Sequence, residues 1–189
     1  MKLLHLDSSI LGENSVSRSI SAAVVEQLKS AHPDLQVTYH DLVAQPLAHL
    51  TLPALADQTY VDEFLAADVV VIGAGMYNFG LPTHLKAWID RVAIAGKTFR
   101  YTETGPQGLA GGKRVIVALA RGGYYGPGAA AETLEHAESY LRGVFGFMGV
   151  TDVEFIVAEG IAVGPEQRQT AVAGALAAAS NVAPLRAAA

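Results

Sequence analysis

The chain has 189 residues, a length that leaves room for one domain and one core. Hydrophobic residues make up 51% and charged residues only 16%, a balance opposite to that of disordered chains. Thirteen basic residues against 18 acidic ones give a net charge of −5, with none of the basic surplus expected of a nucleic-acid binder. Cysteine is absent, which excludes disulfides, zinc–thiolate sites, iron–sulfur clusters and cysteine nucleophiles. No apolar run reaches the length of a membrane span. The N-terminus meets Asp7 too early for a secretory signal, so a cytoplasmic location is expected.

The first strand is read over Lys2–Asp7, ahead of a Ser/Gly/Asn-rich turn. Val16, Ile20, Ala23, Val24 and Leu28 then repeat at helical spacing, with Asn14 or Ser15 as N-cap. Gln36–Leu42 is a weaker, alternating strand, and Tyr60–Ala67 a weak helix. Asp68–Ala74 is a strongly β-branched run. Leu85, Trp88, Ile89 and Val92 form a second helical stripe, with Trp88 in the core. Ile94–Gly112 is a long Gly- and Thr-containing excursion of the kind that commonly carries function. Arg114–Ala120 is the next strand. A third helical stripe runs from Leu134 through Phe145, with Gly149 as its stop. Val153–Ala158 is the last strand. The last helix opens at Gly164-Pro165-Glu166 and runs through Ala-rich sequence, its final residues frayed.

Strict β/α alternation predicts a parallel sheet with helices on both faces and right-handed crossovers. Five strands give an open α/β sheet of order 2-1-3-4-5, a flavodoxin-like three-layer sandwich spanning residues 1–189. Ligands of such sheets bind beyond the carboxyl ends of the strands, where strand order reverses. The loops after strands one, three and four are also the most unusual in composition.

The first loop, Asp7 to Arg18, is hydroxyl-rich and leads straight into a helix. Free amides and the helix dipole there suit an anion; the alternative is a loop whose serines only cap the helix. Neither a Walker A loop nor a GxGxxG fingerprint is present. Arg18 is read as a solvated helix residue, with contact to a phosphate as the alternative. The second loop, Gly73 to Thr83, holds glycines that permit close approach, together with Tyr77 and Phe79. It suits a planar heteroaromatic ring, or else is a tight turn with aromatics packed on the core. The third, Ala120 to Gly128, is glycine-rich, and its composition fits either a ligand loop or a flexible one. The six histidines show no paired metal spacing, so no metal is expected; no GxSxG elbow is present.

Taken together, these segments resemble the bacterial FMN-dependent NADH:quinone/azo reductases, the azoreductase family. The resemblance spans essentially the whole chain. It rests on Ser8-Ser9-Ile10-Leu11-Gly12-Glu13-Asn14-Ser15-Val16-Ser17, on Met76-Tyr77-Asn78-Phe79 with Pro82 to Asp90, and on Thr98-Phe99-Arg100-Tyr101. Gly105-Pro106, Gly108-Leu109, Arg121-Gly122-Gly123 and Gly146-Phe147-Met148-Gly149 with Val153-Glu154-Phe155 complete it. The resemblance implies that Ser9, Ser15, Val16 and Ser17 hold the FMN phosphate. It implies that Met76, Tyr77, Asn78 and Phe79 line the isoalloxazine. Ala120, Arg121, Gly122 and Gly123 would meet its pyrimidine edge. Val16 stands where the family often has glutamine and Ala120 where it often has serine, so only backbone contacts survive at both.

The implied activity is transfer of two electrons from NADH or NADPH, through tightly bound FMN, to quinones and azo compounds by a ping-pong route. No protein acid or base is assigned to the chemistry. The alternative is a non-enzymatic flavodoxin-like electron carrier. The family is homodimeric, each flavin pocket being completed by the partner. Phe99, Tyr101 and Leu109 of the excursion are then candidates for the substrate wall.

Overall fold

The structure, a computed structural model, describes residues 1–185; the end of the Ala-rich tail, residues 186–189, lies outside the described residues. Five strands form one parallel sheet: β1 (Lys2–Asp7), β2 (Gln36–Asp41), β3 (Val69–Gly75), β6 (Arg114–Ala120) and β7 (Asp152–Ala158). Their order across the sheet is β2-β1-β3-β6-β7. Counting only these strands, this is the expected 2-1-3-4-5. Two more strands, β4 (Phe99–Thr102) and β5 (Gly105–Gly108), pair antiparallel as a separate hairpin inside the excursion.

Strand side chains alternate between two cores, as the pleat requires. Val69 and Val71 of β3, with Ile116 and Ala118 of β6, pack beneath α1 (Val16–Ala31) and α5 (Pro165–Ser180). Val70 and Ile72, with Val115, Val117 and Leu119, pack against α2 (Thr59–Ala66), α3 (Thr83–Val92) and α4 (Glu138–Phe147). Both faces of β3 and β6 are therefore covered, which explains their unbroken apolar runs. Trp88, Phe64 and Phe145 are fully buried on the α2–α4 side. Each such side chain contributes about 1.5–3 kcal/mol by leaving water. The weaker run, β2, is an edge strand with Val37 and Tyr39 exposed.

One expectation needs correcting and one segment gains detail. The third helix does not start at Leu134, which sits in a separate 3-10 turn, Glu132–Leu134. Glu135 breaks the stripe because its carboxylate accepts the N–H groups of Ala137, Glu138 and Ser139 and so starts α4 afresh. The long excursion contains a hairpin that was not anticipated. Its two short strands turn through Glu103 and Thr104, and Gly105 takes a φ of +117° there.

Candidate active site

The sheet brings the three loops together because β1, β3 and β6 are adjacent and parallel. All twelve candidate residues lie at or beyond the carboxyl ends of these strands, and the first four reach the amino end of α1.

The first loop forms a donor-lined cradle. Ser15 is the N-cap of α1, its Oγ accepting from Arg18 N at 3.3 Å and lying 3.1 Å from Ser17 Oγ. The N–H groups of Val16 and Ser17 have no partner among the described residues. Two free amides, two hydroxyls and the helix dipole converge there, a donor set that fits a phosphate. The Val16 side chain is buried in the α1 core, so only its backbone faces the cradle.

The second loop is strained in a specific way. Tyr77 and Gly80 exchange both backbone hydrogen bonds at 3.0 Å, closing a two-residue turn. Its central residues, Asn78 and Phe79, have φ of 48° and 71°. An aromatic side chain rarely adopts that conformation, which costs on the order of 1–3 kcal/mol. His136 N donates to Phe79 O at 3.0 Å and holds the turn in place. Phe79 is 42% exposed, so it is not an aromatic packed on the core. The Tyr77 ring lies over Gly75, and its hydroxyl is 3.0 Å from Ser9 Oγ and accepts from Ile10 N at 3.3 Å. Tyr77 thereby joins the first loop to the second. Met76 N donates to Ala120 O at 2.8 Å, joining the second to the third.

In the third loop the carbonyls of Arg121, Gly122 and Gly123 accept from Ile161, Ala162 and Gly160 at 3.0–3.2 Å. The amides of Gly122 and Gly123 have no partner among the described residues. They leave two successive donors on residues with no side chain of their own, which fits the carbonyl edge of a flat heterocycle. Tyr124 packs on Gly160, at φ +73°, where any Cβ would strike its ring.

Arg121 departs from its expected place. Its side chain is 3% exposed and turns away into the protein, where Nη1 reaches Glu159 at 2.7 Å and Nη2 reaches Glu138 at 2.6 Å. Its backbone N–H is also used, by Ala158 O. Arg18 likewise is not a solvated helix residue. It forks onto Asp41 at 2.7 and 2.8 Å and donates through Nε and Nη2 to Ser9 O at 3.2 and 2.9 Å. This pair raises the Arg18 pKa and, with the Ala44 and Val43 amides and against burial, holds Asp41 at about 2. Burial, with Asp7 and Asp41 nearby, pushes Tyr39 up to about 12. Neither anchor was legible beforehand, because their acidic partners lie 14 to 38 residues away.

The hairpin is rooted at the opposite end of the sheet. It follows the last turn of α3 and packs on the end of α4, Phe99 lying 4.5 Å from Phe147 between ring centroids. Phe99 is buried in that contact and walls no site in its own chain; Tyr101 is 74% exposed. Among the described residues no group of His, Asp and Glu could hold a metal, and no helix is long and apolar enough to cross a membrane.

The sheet order and the three converging loops define a flavodoxin-like protein, and residues 1–183 match the model of a family described as having the flavodoxin-like fold. A protein of Bradyrhizobium diazoefficiens named FMN-dependent NADH:quinone oxidoreductase 2 is 57% identical, over 96% of this chain and 98% of the relative. An azoreductase from Bacillus anthracis superposes with a TM-score of 0.88 at 30% identity, covering 96% of this chain and 98% of that one. An FMN-dependent NADH-azoreductase from the same species, solved in complex with FMN, gives a TM-score of 0.83 at 27% identity over 96% and 98%. The chain belongs to this flavodoxin-like family of FMN-dependent NADH:quinone oxidoreductases and azoreductases.

Proposed function

We propose that residues 1–189 act as one FMN-binding domain that passes two electrons from NADH to quinones and azo compounds. The observation that carries this reading is the convergence of two sets of free amides. Val16 and Ser17 offer one set at the helix terminus, and Gly122 and Gly123 the other, across the Asn78–Phe79 turn. The first set suits a phosphate and the second the carbonyl edge of a flavin ring. FMN, when bound, supplies the two-electron chemistry. The protein holds and orients it. Ser9, Ser15 and Ser17 donate to the phosphate, and Met76 to Phe79 form the shelf beside the ring. Donor and acceptor are both flat, so one slot receives them in turn, which gives ping-pong kinetics.

The subunits pair as a homodimer in this reading. Leu50, Leu52 and Leu55 are exposed in the segment between β2 and α2, and Tyr101 and Leu109 are exposed on the excursion. Such apolar surface is what a subunit contact covers. The hairpin stands at the far end from its own site, so its contribution to a substrate wall would be made to the partner's pocket.

The test is direct. The purified protein titrated with FMN quenches the flavin's fluorescence, and the loaded protein oxidises NADH with a quinone, giving parallel double-reciprocal lines. A protein that binds no FMN overturns the reading. Sedimentation of a monomer at micromolar concentration overturns the dimer.

A further inference from the structure

The most heavily compensated charge in the described residues is the Arg121 guanidinium. It meets three carboxylates from two elements: Glu159 just beyond β7, Glu138 in the first turn of α4, and Glu135 before it, the last at 3.3 Å. One carboxylate would neutralise it. The others have a geometric consequence. Glu159 Oε1 accepts from both Arg121 Nη1 and the Tyr125 amide, so it grips the third loop at both ends. Glu138 gives one oxygen to Arg121 and the other to Arg142. Glu135, whose burial is outweighed by the Glu138, Ser139 and Ala137 amides and by Arg121, stays below the usual carboxylate range. The planar fork of Arg121 spans these two walls, and no group with a single charged nitrogen can do so. Gly122 and Gly123 hang directly from it.

We propose that Arg121 is a positioning residue of the flavin site: braced between Glu159 and Glu138, it fixes the Gly122 and Gly123 amides that receive the pyrimidine edge, and it does not touch the flavin itself. The inference rests on the proposed FMN reading. It extends to this site the general rule that groups behind a ligand set the geometry of those in front.

The experiment uses the full chain with Arg121→Lys, Glu159→Gln and Glu138→Gln. FMN affinity is measured by fluorescence quenching well below the unfolding midpoint, and the midpoint potential of the bound flavin by dye-coupled reduction. Arg121→Lys is expected to raise the FMN Kd about tenfold, the lower end of the range for residues that orient metal ligands from behind. Glu159→Gln is expected to raise it in the same direction, less, and to shift the potential with it. Glu138→Gln follows Glu159→Gln. Unchanged Kd and potential in all three, with only a lowered melting temperature, overturn the proposal in favour of a structural role. A loss confined to Arg121→Lys overturns it in favour of direct contact. If the native chain itself binds no FMN, the underlying reading has failed and this inference falls with it; if the native chain binds FMN and the variants bind it equally well, this inference alone has failed.

Discussion

Two of the three loops at the carboxyl edge of the sheet are anchored by an arginine, and the two anchors differ in kind. Arg18, behind the phosphate cradle, is matched by one carboxylate and one carbonyl, with side chains 16% and 26% exposed in the Arg18–Asp41 pair. Arg121, behind the Gly122–Gly123 amides, is 3% exposed and faces three carboxylates. The cradle loop has other supports: the α1 terminus and the Ser15 cap already order it. The glycine loop leads into no helix, and Gly122 and Gly123 carry no side chains, so they are held by backbone bonds to Ala162 and Gly160 and by the arginine beneath them. Where the ligand needs bare amides, rigidity is supplied from behind.

Removing each arginine tests that difference. Arg121→Met leaves three carboxylates facing one another with one cation fewer. Breaking a buried ion pair from one side costs roughly 3–5 kcal/mol. An unfolding free energy from urea denaturation lowered by that amount is expected, or failure to accumulate folded protein, and a Glu159→Gln second change should recover part of the loss. Arg18→Met is expected to cost about 1–2 kcal/mol, because Asp41 can turn to water when its partner goes. Equal losses at the two sites would erase the distinction. Smaller again is Tyr77→Phe, which removes the hydroxyl shared by Ser9 Oγ and Ile10 N. A loss of about 1 kcal/mol is expected from denaturation. FMN affinity should also fall, because Ser9 is then free to turn.

The sheet was legible because burial on two faces leaves runs such as Val69-Val70-Val71-Ile72 that no surface helix would carry. The ligand loops were legible through glycine and serine at strand ends, since backbone amides can act only where side chains give way. The anchors were not. Arg18 reads as an ordinary solvent-facing helix residue until β2 places Asp41 beside it, 23 residues on. Nothing near Arg121 announces Glu159, 38 residues later. The hairpin was missed because Thr102-Glu103-Thr104-Gly105 carries no strong turn pair, and its pairing is fixed by packing on Phe147 and Gly149. Asn78-Phe79 hid its strain for the opposite reason: phenylalanine is among the last residues expected at positive φ.

Of similar size is the share of the pH dependence that belongs to the Arg18 side. Asp41 falls from 3.8 to about 2 in the folded protein, chiefly through Arg18. A depressed carboxylate pKa adds stability that is present above its unfolded value and is lost as pH falls toward the folded one. The window is therefore pH 4 to 2, and with solvent screening the loss is about 1 kcal/mol. Tyr39 gives a matching alkaline limb. Its pKa rises from 10 to about 12 through burial and the neighbouring Asp7 and Asp41. The folded state holds that proton more tightly, so stability present below pH 10 is lost between 10 and 12. Glu135 also lies below its ordinary value and adds to the acid limb, so the native curve alone cannot assign it. Asp41→Asn separates the two: its acid limb should flatten by the Arg18 share while the Glu135 share remains. Stability curves of the two proteins that stay parallel from pH 4 to 2 would mean that the Arg18–Asp41 pair is held too loosely in solution to anchor the cradle.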